Sequence, residues 1–357
     1  MKFIQMLPTL SYGDAVGNDT IAIQHALLDR GYEAVIYAEL IDRRFENENI
    51  KSIEDWVSPK KDDVIIYHLS IGWKNIDLIR KAKCKKIAIY HNITPTVFNE
   101  NYDVNAYKSC KYGLEEVKKM SDVFDYCLAD SEFNKQDLLS LGYTCPIDVL
   151  PVMVAFDDYK KKPAQSIIKK YSGKSGANIL FVGRVAPNKK HEDIIAAFSL
   201  YKKYYDKNAR LFLIGNYAKR DIYFRRLRDY VKSLDVQDVY FSGHIKFHDI
   251  LAYYSIADLF VCMSEHEGFC VPLLEAMYFE VPIIAYDSTA IPDTLGDAGV
   301  LVKEKNYAEI AGLMNRLITD QNLRKTLIDK EQERLKNFNN EKIRNMLYQY
   351  IEKFIGK

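Results

Sequence analysis

The sequence predicts an α/β protein of two tandem doubly wound parallel-sheet domains, Rossmann-like, facing a cleft. Three observations carry this. The chain has 357 residues, and about 150 residues per domain gives two cores. Short β-branched runs alternate with helix-length segments, the pattern of βαβ units and a parallel sheet. The alternation stops once, over Asp157 to Gly176, and then restarts.

The elements follow in order. Phe3 to Leu7 reads as a buried strand. Asp19 caps a helix running to Arg30, with Gly31 ending it. Further strands are Glu33 to Ala38, Val64 to Leu69, Lys86 to Tyr90, Tyr126 to Ala129 and Ile147 to Leu150. The break holds Lys160, Lys161, Lys162, Pro163, Gly173 and Gly176, and its start reads as an interdomain linker. Beyond it the strands are Asn178 to Val182, Arg210 to Ile214, Val239 to Ser242, Leu259 to Cys262, Val281 to Ala285 and Gly299 to Val302. Glu192 to Tyr205 and Asp221 to Leu234 read as helices between them. Glu341 to Phe354 is amphipathic and suits packing back on the first domain. The expected domains are therefore 1–158, 159–340 and a helix over 341–357. Sheets of this kind bind ligands at their strand carboxyl ends.

Composition excludes several classes. Hydrophobic residues are 48% and charged residues 28%, which fits a globular chain and not a disordered one. Lys+Arg number 50 and Asp+Glu 49, for a net charge of +1, so a general nucleic-acid role lacks its basic surface. The neutrality is uneven: residues 1–150 carry −5 and residues 151–357 carry +6. The basic half is the one suited to a polyanionic ligand. In the acidic half the one dense basic cluster is Lys81, Lys83, Lys85 and Lys86, so at most weak peripheral membrane contact is expected. The six cysteines include no Cys-x-x-Cys pair, which reads as reduced thiols in a cytoplasmic protein without zinc. Met1 to Leu10 lacks the apolar core of a signal peptide, and no apolar run approaches a membrane span.

Two stretches carry the chemistry. The first runs from Ser264 to Met277, after an apolar strand. Gly268 lets backbone approach a ligand, and Pro272 suits a first helical turn. The amides of Phe269, Cys270 and Val271 then sit at a helix start, a ready anion site. Glu267 falls in the loop, and Glu275 one turn into the helix is placed to accept hydrogen bonds from ribose hydroxyls. The second stretch is Phe181 to His191, where Arg184 and Lys189 supply cations at a strand's carboxyl end. A diphosphate needs such a fork and point charge.

At these residues the chain resembles the retaining glycosyltransferase family 4, of the GT-B fold, in a bacterial mannosyltransferase-like form. Gly183-Arg184 with Lys189, and Glu267 and Glu275 around Gly268-Phe269 and Pro272, carry the resemblance. Leu213-Ile214-Gly215 is similar to the family's second donor-domain strand and turn. Phe241-Ser242-Gly243-His244-Ile245 is similar to its base-reading segment. The resemblance implies that Arg184 and Lys189 hold the donor diphosphate and that Glu275 binds ribose. It implies that Glu267 contacts the transferred sugar beside Phe269 and Cys270. Cys270 fits the small residue the family has there, whereas Lys190 stands where the family often has Gly.

In the first domain, Tyr12-Gly13-Asp14-Ala15 resembles the family's phosphate-approach loop, with one of its two usual glycines. Tyr90-His91-Asn92-Ile93-Thr94-Pro95 resembles a motif whose His meets the donor sugar, which gives His91 that role. Asp130-Ser131-Glu132-Phe133-Asn134 matches the end of the family's first domain and is assigned helix capping.

The implied reaction moves a hexose, mannose favoured, from GDP-mannose or a UDP-hexose to a glycan or lipid-linked glycan in bacterial surface polysaccharide assembly. No Asp-x-Asp motif is present, so no metal and no cofactor are expected. The alternatives are a glycoside hydrolase using Glu267 and Glu275, a nucleotide-sugar epimerase or a phosphorylase on the same fold, and a non-catalytic nucleotide-binding protein.

Overall fold

The computed structural model describes residues 1–45 and 47–356. They form two compact units. Unit 1 is Met1–Val97, Asn105–Ala155 and Phe338–Lys357, and unit 2 is Phe98–Val104 with Phe156–Asn337.

Unit 1 is built on seven strands: β1 (Lys2–Leu10), β2 (Glu33–Ile41), β3 (Ile50–Ser52), β4 (Val64–Leu69), β5 (Lys85–Tyr90), β6 (Tyr126–Ala129) and β7 (Ile147–Val149). Helices α1 (Ala15–Asp29), α2 (Asp77–Lys81), α3 (Val104–Lys119) and α4 (Glu132–Ser140) connect them. The sheet order is β3-β2-β1-β4-β5-β6-β7, all parallel, so the strand order reverses between β1 and β4. β4 is buried at all six residues, which is why it reads as an apolar run interrupted only by His68. Trp73, Tyr67 and Tyr90 are the largest side chains of this core.

Unit 2 opens with α5 (Gln165–Tyr171) and then runs β8 (Asn178–Val182), α6 (His191–Tyr204), β9 (Arg210–Ile214), α7 (Ile222–Ser233), β10 (Val239–Phe241), α8 (Phe247–Ile256) and β11 (Leu259–Cys262). It continues with α9 (Val271–Tyr278), β12 (Ile283–Tyr286), α10 (Ile291–Leu295), β13 (Val300–Val302), α11 (Tyr307–Thr319) and α12 (Gln321–Leu335). Its order is β10-β9-β8-β11-β12-β13, again parallel, with the reversal between β8 and β11. Helices α7, α11 and α12 start on Asp221, Asn306 and Asp320, whose side chains accept early backbone N–H groups. The last helix, α13 (Asn340–Ile355), starts the same way on Asn339 and lies in unit 1. There Tyr348 donates to the Ala26 carbonyl at 2.8 Å. Among the described residues, no helix is long and apolar enough to cross a membrane.

One local expectation needs correction, and two are filled in. Asp19 does not cap α1: Asp14 holds the N-cap, and Asp19 lies inside the helix, buried. The start of the polar break, read as a linker, falls where the chain passes from unit 1 to unit 2, and the break itself is folded. It forms a 3-10 turn at Phe156–Lys160 and then α5, because Tyr159 and Tyr171 supply buried anchors among the lysines. The capping expected of Asp130–Asn134 is carried by Ser131, which accepts from the Asn134 amide at 3.2 Å at the start of α4.

Candidate functional site

In unit 2 three glycine turns meet at the carboxyl ends of β8, β9 and β10. The Gly183 amide donates to the Ile214 carbonyl at 2.8 Å, and Gly215 forms an antiparallel bridge with Gly243. A Cβ on Gly215 would lie 1.9 Å from the Gly183 oxygen, so only glycine permits this approach. Arg184 then emerges exposed. A 3-10 turn, Pro187–Lys189, leads to Lys190 at φ +50°. This is the left-handed position where the resemblance implies Gly, and Lys occupies it at a conformational cost.

The loop after β11 is tied to this turn. Asn188 donates to the His266 carbonyl at 3.0 Å and accepts on its own carbonyl from the Glu265 amide at 2.8 Å. Ser288 donates to the Ser264 carbonyl at 2.6 Å, and the Glu267 amide donates to the Thr289 hydroxyl at 2.9 Å. Thr294 donates to the Phe269 carbonyl. Cys270, at φ +74°, is the N-cap of α9 and makes no side-chain capping bond. The result brings Lys189 Nζ to 2.7 and 2.6 Å from the two Glu267 oxygens. Burial pulls the Lys189 pKa down, but Glu267 and the nearby thiols outweigh it and hold the ammonium above its ordinary value. Around this pair, Lys305 bridges Asp193 at 2.6 Å and Glu265 at 2.5 Å, and Lys190 reaches Glu265 at 3.1 Å.

Glu275 sits one turn into α9. Its oxygens accept from Tyr159 Oη at 2.9 Å and Tyr254 Oη at 2.7 Å. Burial raises its pKa, and the two phenols work against the rise. A carboxylate has about four acceptor directions, so two remain for a ligand's hydroxyls. His244 is exposed and Ile245 partly exposed, just past Gly243.

Unit 1 places its residues differently. Gly13, at φ +78°, has nothing within 4 Å of a Cβ position. Asp14 is exposed and makes no side-chain capping bond. His91 follows β5, but its side chain is only 3% exposed. Its Nδ1 meets Asp130 Oδ2 at 2.9 Å and its Nε2 meets His68 Nδ1 at 2.9 Å. Asp19 lies nearby, where burial first, against the pull of His91, raises its pKa to about 7.

The structure thus gathers Lys189, Glu267 and the glycine turns, and leaves Arg184 and His244 at the solvent edge. It also adds Asn188, Thr289, Tyr159, Tyr254, His68, Gln5 and Asp19; the sequence reading gave none of them a place in the site and read Asp19 as a helix cap. For two of them a signal existed: Gln5 and His68 are polar residues inside otherwise apolar strands, and both are fully buried. Buried polar groups are there to be bonded.

Two parallel sheets of one strand order, each with a glycine turn after its first strand, define the GT-B class of α/β fold. Solved structures agree. A sucrose-phosphate synthase from Thermosynechococcus elongatus superposes at a TM-score of 0.79 over 100% of both chains, at 17% identity. Anabaena HepE, solved with UDP-glucose, superposes at 0.76 over 99% of this chain and 100% of its own, at 16% identity. Residues 165–334 match the family described as glycosyl transferases group 1. Over residues 165–334 the chain is therefore similar to the group 1 glycosyl transferases, on a GT-B fold. Among curated relatives, the serotype-specific mannosyltransferase WbdA of Escherichia coli is 25% identical over 247 residues, which is 66% of this chain. The O-antigen chain mannosyltransferase B of Escherichia coli is 24% identical over 219 residues, 60% of this chain. The chain spans 29% of the length of the first and 57% of the second.

Proposed function

We propose that the protein is a hexosyltransferase, moving mannose or a related hexose from a nucleotide diphosphate sugar to a glycan or lipid-linked glycan, with retention. The observation that carries this is the Lys189–Glu267 pair beside Arg184, at the strand reversal of the unit that bears the group 1 similarity. Negative charge grows on a diphosphate as it leaves. A half-buried ammonium, an exposed guanidinium and the amides at the start of α9 are donors preorganised for that charge. Glu275 is placed for ribose hydroxyls, and the turn at Gly243, His244 and Ile245 for the base. Glu267 and Cys270 serve the sugar, with Phe269, Gly268 and Val271 giving backbone contact. For unit 1 the resemblance gives Gly13 and Asp14 a ligand-side turn and gives His91 a role toward the sugar, which with both ring nitrogens held by Asp130 and His68 would act through its charge. The relatives named as mannosyltransferases favour mannose. The leaving phosphate takes the acceptor proton, and no metal is required. A cytoplasmic setting, with at most peripheral membrane contact, suits nucleotide-sugar donors.

The test is a thermal-shift panel of GDP, UDP, GDP-mannose and UDP-hexoses, because a ligand that binds the folded state alone raises its stability. A shift with GDP and GDP-mannose, with transfer unaffected by a chelator, supports the reading. A shift with no nucleotide, or products free of a glycosylated acceptor, rejects it.

A further inference from the structure

Unit 1 holds a hydrogen-bonded chain that the proposed reaction leaves unexplained. Gln5 Nε2 donates to the Thr20 carbonyl at 3.1 Å, so its Oε1 faces His68 Nε2 at 2.9 Å. His68 Nδ1 faces His91 Nε2 at 2.9 Å, and His91 Nδ1 faces Asp130 Oδ2 at 2.9 Å. The two imidazoles are parallel within 5°, with centroids 5.2 Å apart. The two ring radii make up the difference between 5.2 and 2.9 Å, so the nitrogens point at each other along one line. Asp19 also offers an oxygen within 4.8 Å of these nitrogens. Yet two nitrogens facing across a metal, at bonds of about 2.0–2.1 Å, need about 4 Å between them. The gap fits a proton and not a metal ion.

Counting protons settles most of the chain. Gln5 Oε1 can only accept, so His68 Nε2 carries a hydrogen and His68 Nδ1 is an acceptor. His91 Nε2 must therefore donate to it. His91 Nδ1 then either carries a second proton, donated to Asp130, or accepts one from a neutral Asp130. The groups facing His91 are Asp130 after β6, Asp19 in α1, Asp14 before it, and His68 on β4. Burial opposes a charge on His91, but Asp130, then Asp19 and Asp14, outweigh it in their ionised forms and raise its pKa; burial also raises the Asp130 pKa, against the pull of His91. Burial and the charge of His91 both push His68 well below its ordinary value.

We propose that His91 is an imidazolium in the native protein, donating Nδ1–H to Asp130 and Nε2–H to His68. Gln5, His68 and Asp130 are then positioning residues that fix its charge and ring plane. The functional part rests on the reading that His91 serves the sugar; the charge state does not. An imidazolium has no lone pair, so His91 is not the base for the acceptor hydroxyl. The acceptor proton then goes to another group, which in the proposed reaction is the leaving phosphate.

Long-range ¹H–¹⁵N spectra of the full chain, labelled at histidine, test this between about pH 6 and pH 8. The expected result is a His91 ring protonated at both nitrogens and a His68 ring bare at Nδ1, with signals assigned by His91→Gln and His68→Gln. A His91 ring bare at Nδ1 at neutral pH overturns the proposal, whatever the enzyme does. In Asp130→Asn the His91 pKa should fall by roughly one to three units, and the alkaline limb of the transfer rate should move with it. His68→Gln, which keeps an acceptor, should leave that limb in place, whereas His68→Leu should move it. A folded Asp130→Asn with an unmoved limb overturns the positioning roles. The expected spectra without turnover on any nucleotide sugar would reject the functional reading alone.

Discussion

The two units share a strand order and a glycine turn after the first strand, and they equip that turn in opposite ways. In unit 1 the turn is open: Gly13 has empty space around it, Asp14 follows, and acids and imidazoles fill the buried layer behind. In unit 2 the turn is crowded by two more glycines, and Arg184, Lys189 and Lys190 follow. One backbone device therefore carries different charges in the two units, and a few residues past the strand decide which. The uneven charge, −5 over residues 1–150 and +6 over residues 151–357, has this local expression.

The largest effect should come from the cation. Lys189→Ala removes the ammonium and leaves the Glu267 carboxylate buried beside Asn188 and Thr289 without its 2.6 Å partner. Loss of one preorganised donor typically costs about 10²–10³ in turnover, and kcat/KM should fall at least that far in a transfer assay. Asp14→Ala in unit 1 should change it less than about tenfold, as expected for an exposed group outside such a pair. Equal losses would erase the contrast between the two turns.

Next comes crowding. Gly215→Ala would put a methyl 1.9 Å from the Gly183 oxygen and 2.6 Å from its carbonyl carbon, so two backbone turns must part. Overpacking of this kind costs about 1–3 kcal/mol. The cost should appear as a lower urea midpoint together with weaker nucleotide binding. Gly13→Ala meets no atom and bears only its left-handed φ of +78°, so it should cost about 1 kcal/mol. A Gly215→Ala protein as stable as the parent would show that the three turns are less tightly joined than their geometry states.

This contrast also marks what could be read from sequence. Strands such as Val64–Leu69, Asn178–Val182 and Leu259–Cys262 are apolar runs apart from His68 and the leading Asn178, and they fold over those same residues. Lys189, Glu267 and Glu275 stood out because charged residues at a strand end or helix start have few structural reasons to be there. The partners were not legible. Tyr159 lies 116 residues from Glu275, and Asn188 lies 78 from His266, so only the folded chain joins them. The edge strand β3 is three residues among polar neighbours, too short for a period to emerge. Asp19 reads as a helix cap because its residue type favours caps, and tertiary burial overrides that preference.

The smallest expected effect sharpens the comparison by sign. His191, at the start of α6, is fully buried against Phe181, and neither ring nitrogen has a hydrogen-bond partner. Burial, aided by Lys189, pushes its pKa down to about 3. The unfolded chain takes up this proton below about pH 6.5 while the folded unit 2 refuses it, so stability falls as the solution is acidified. Asp19 in unit 1 runs the other way, because burial raises its pKa from 3.8 to about 7. The unfolded carboxyl ionises from about pH 4 upward while the folded one holds its proton, so stability falls as pH rises toward 7. His191→Leu should therefore raise Tm at pH 5 more than at pH 7.5, and Asp19→Asn should raise it at pH 7.5 more than at pH 5. Calorimetry should show differences of a few degrees, about 2–4 °C for each kcal/mol in domains of this size. Opposite slopes would assign the acid-sensitive transition to unit 2 and the alkali-sensitive one to unit 1. Slopes of one sign would mean that a group other than these two sets the pH dependence of one unit.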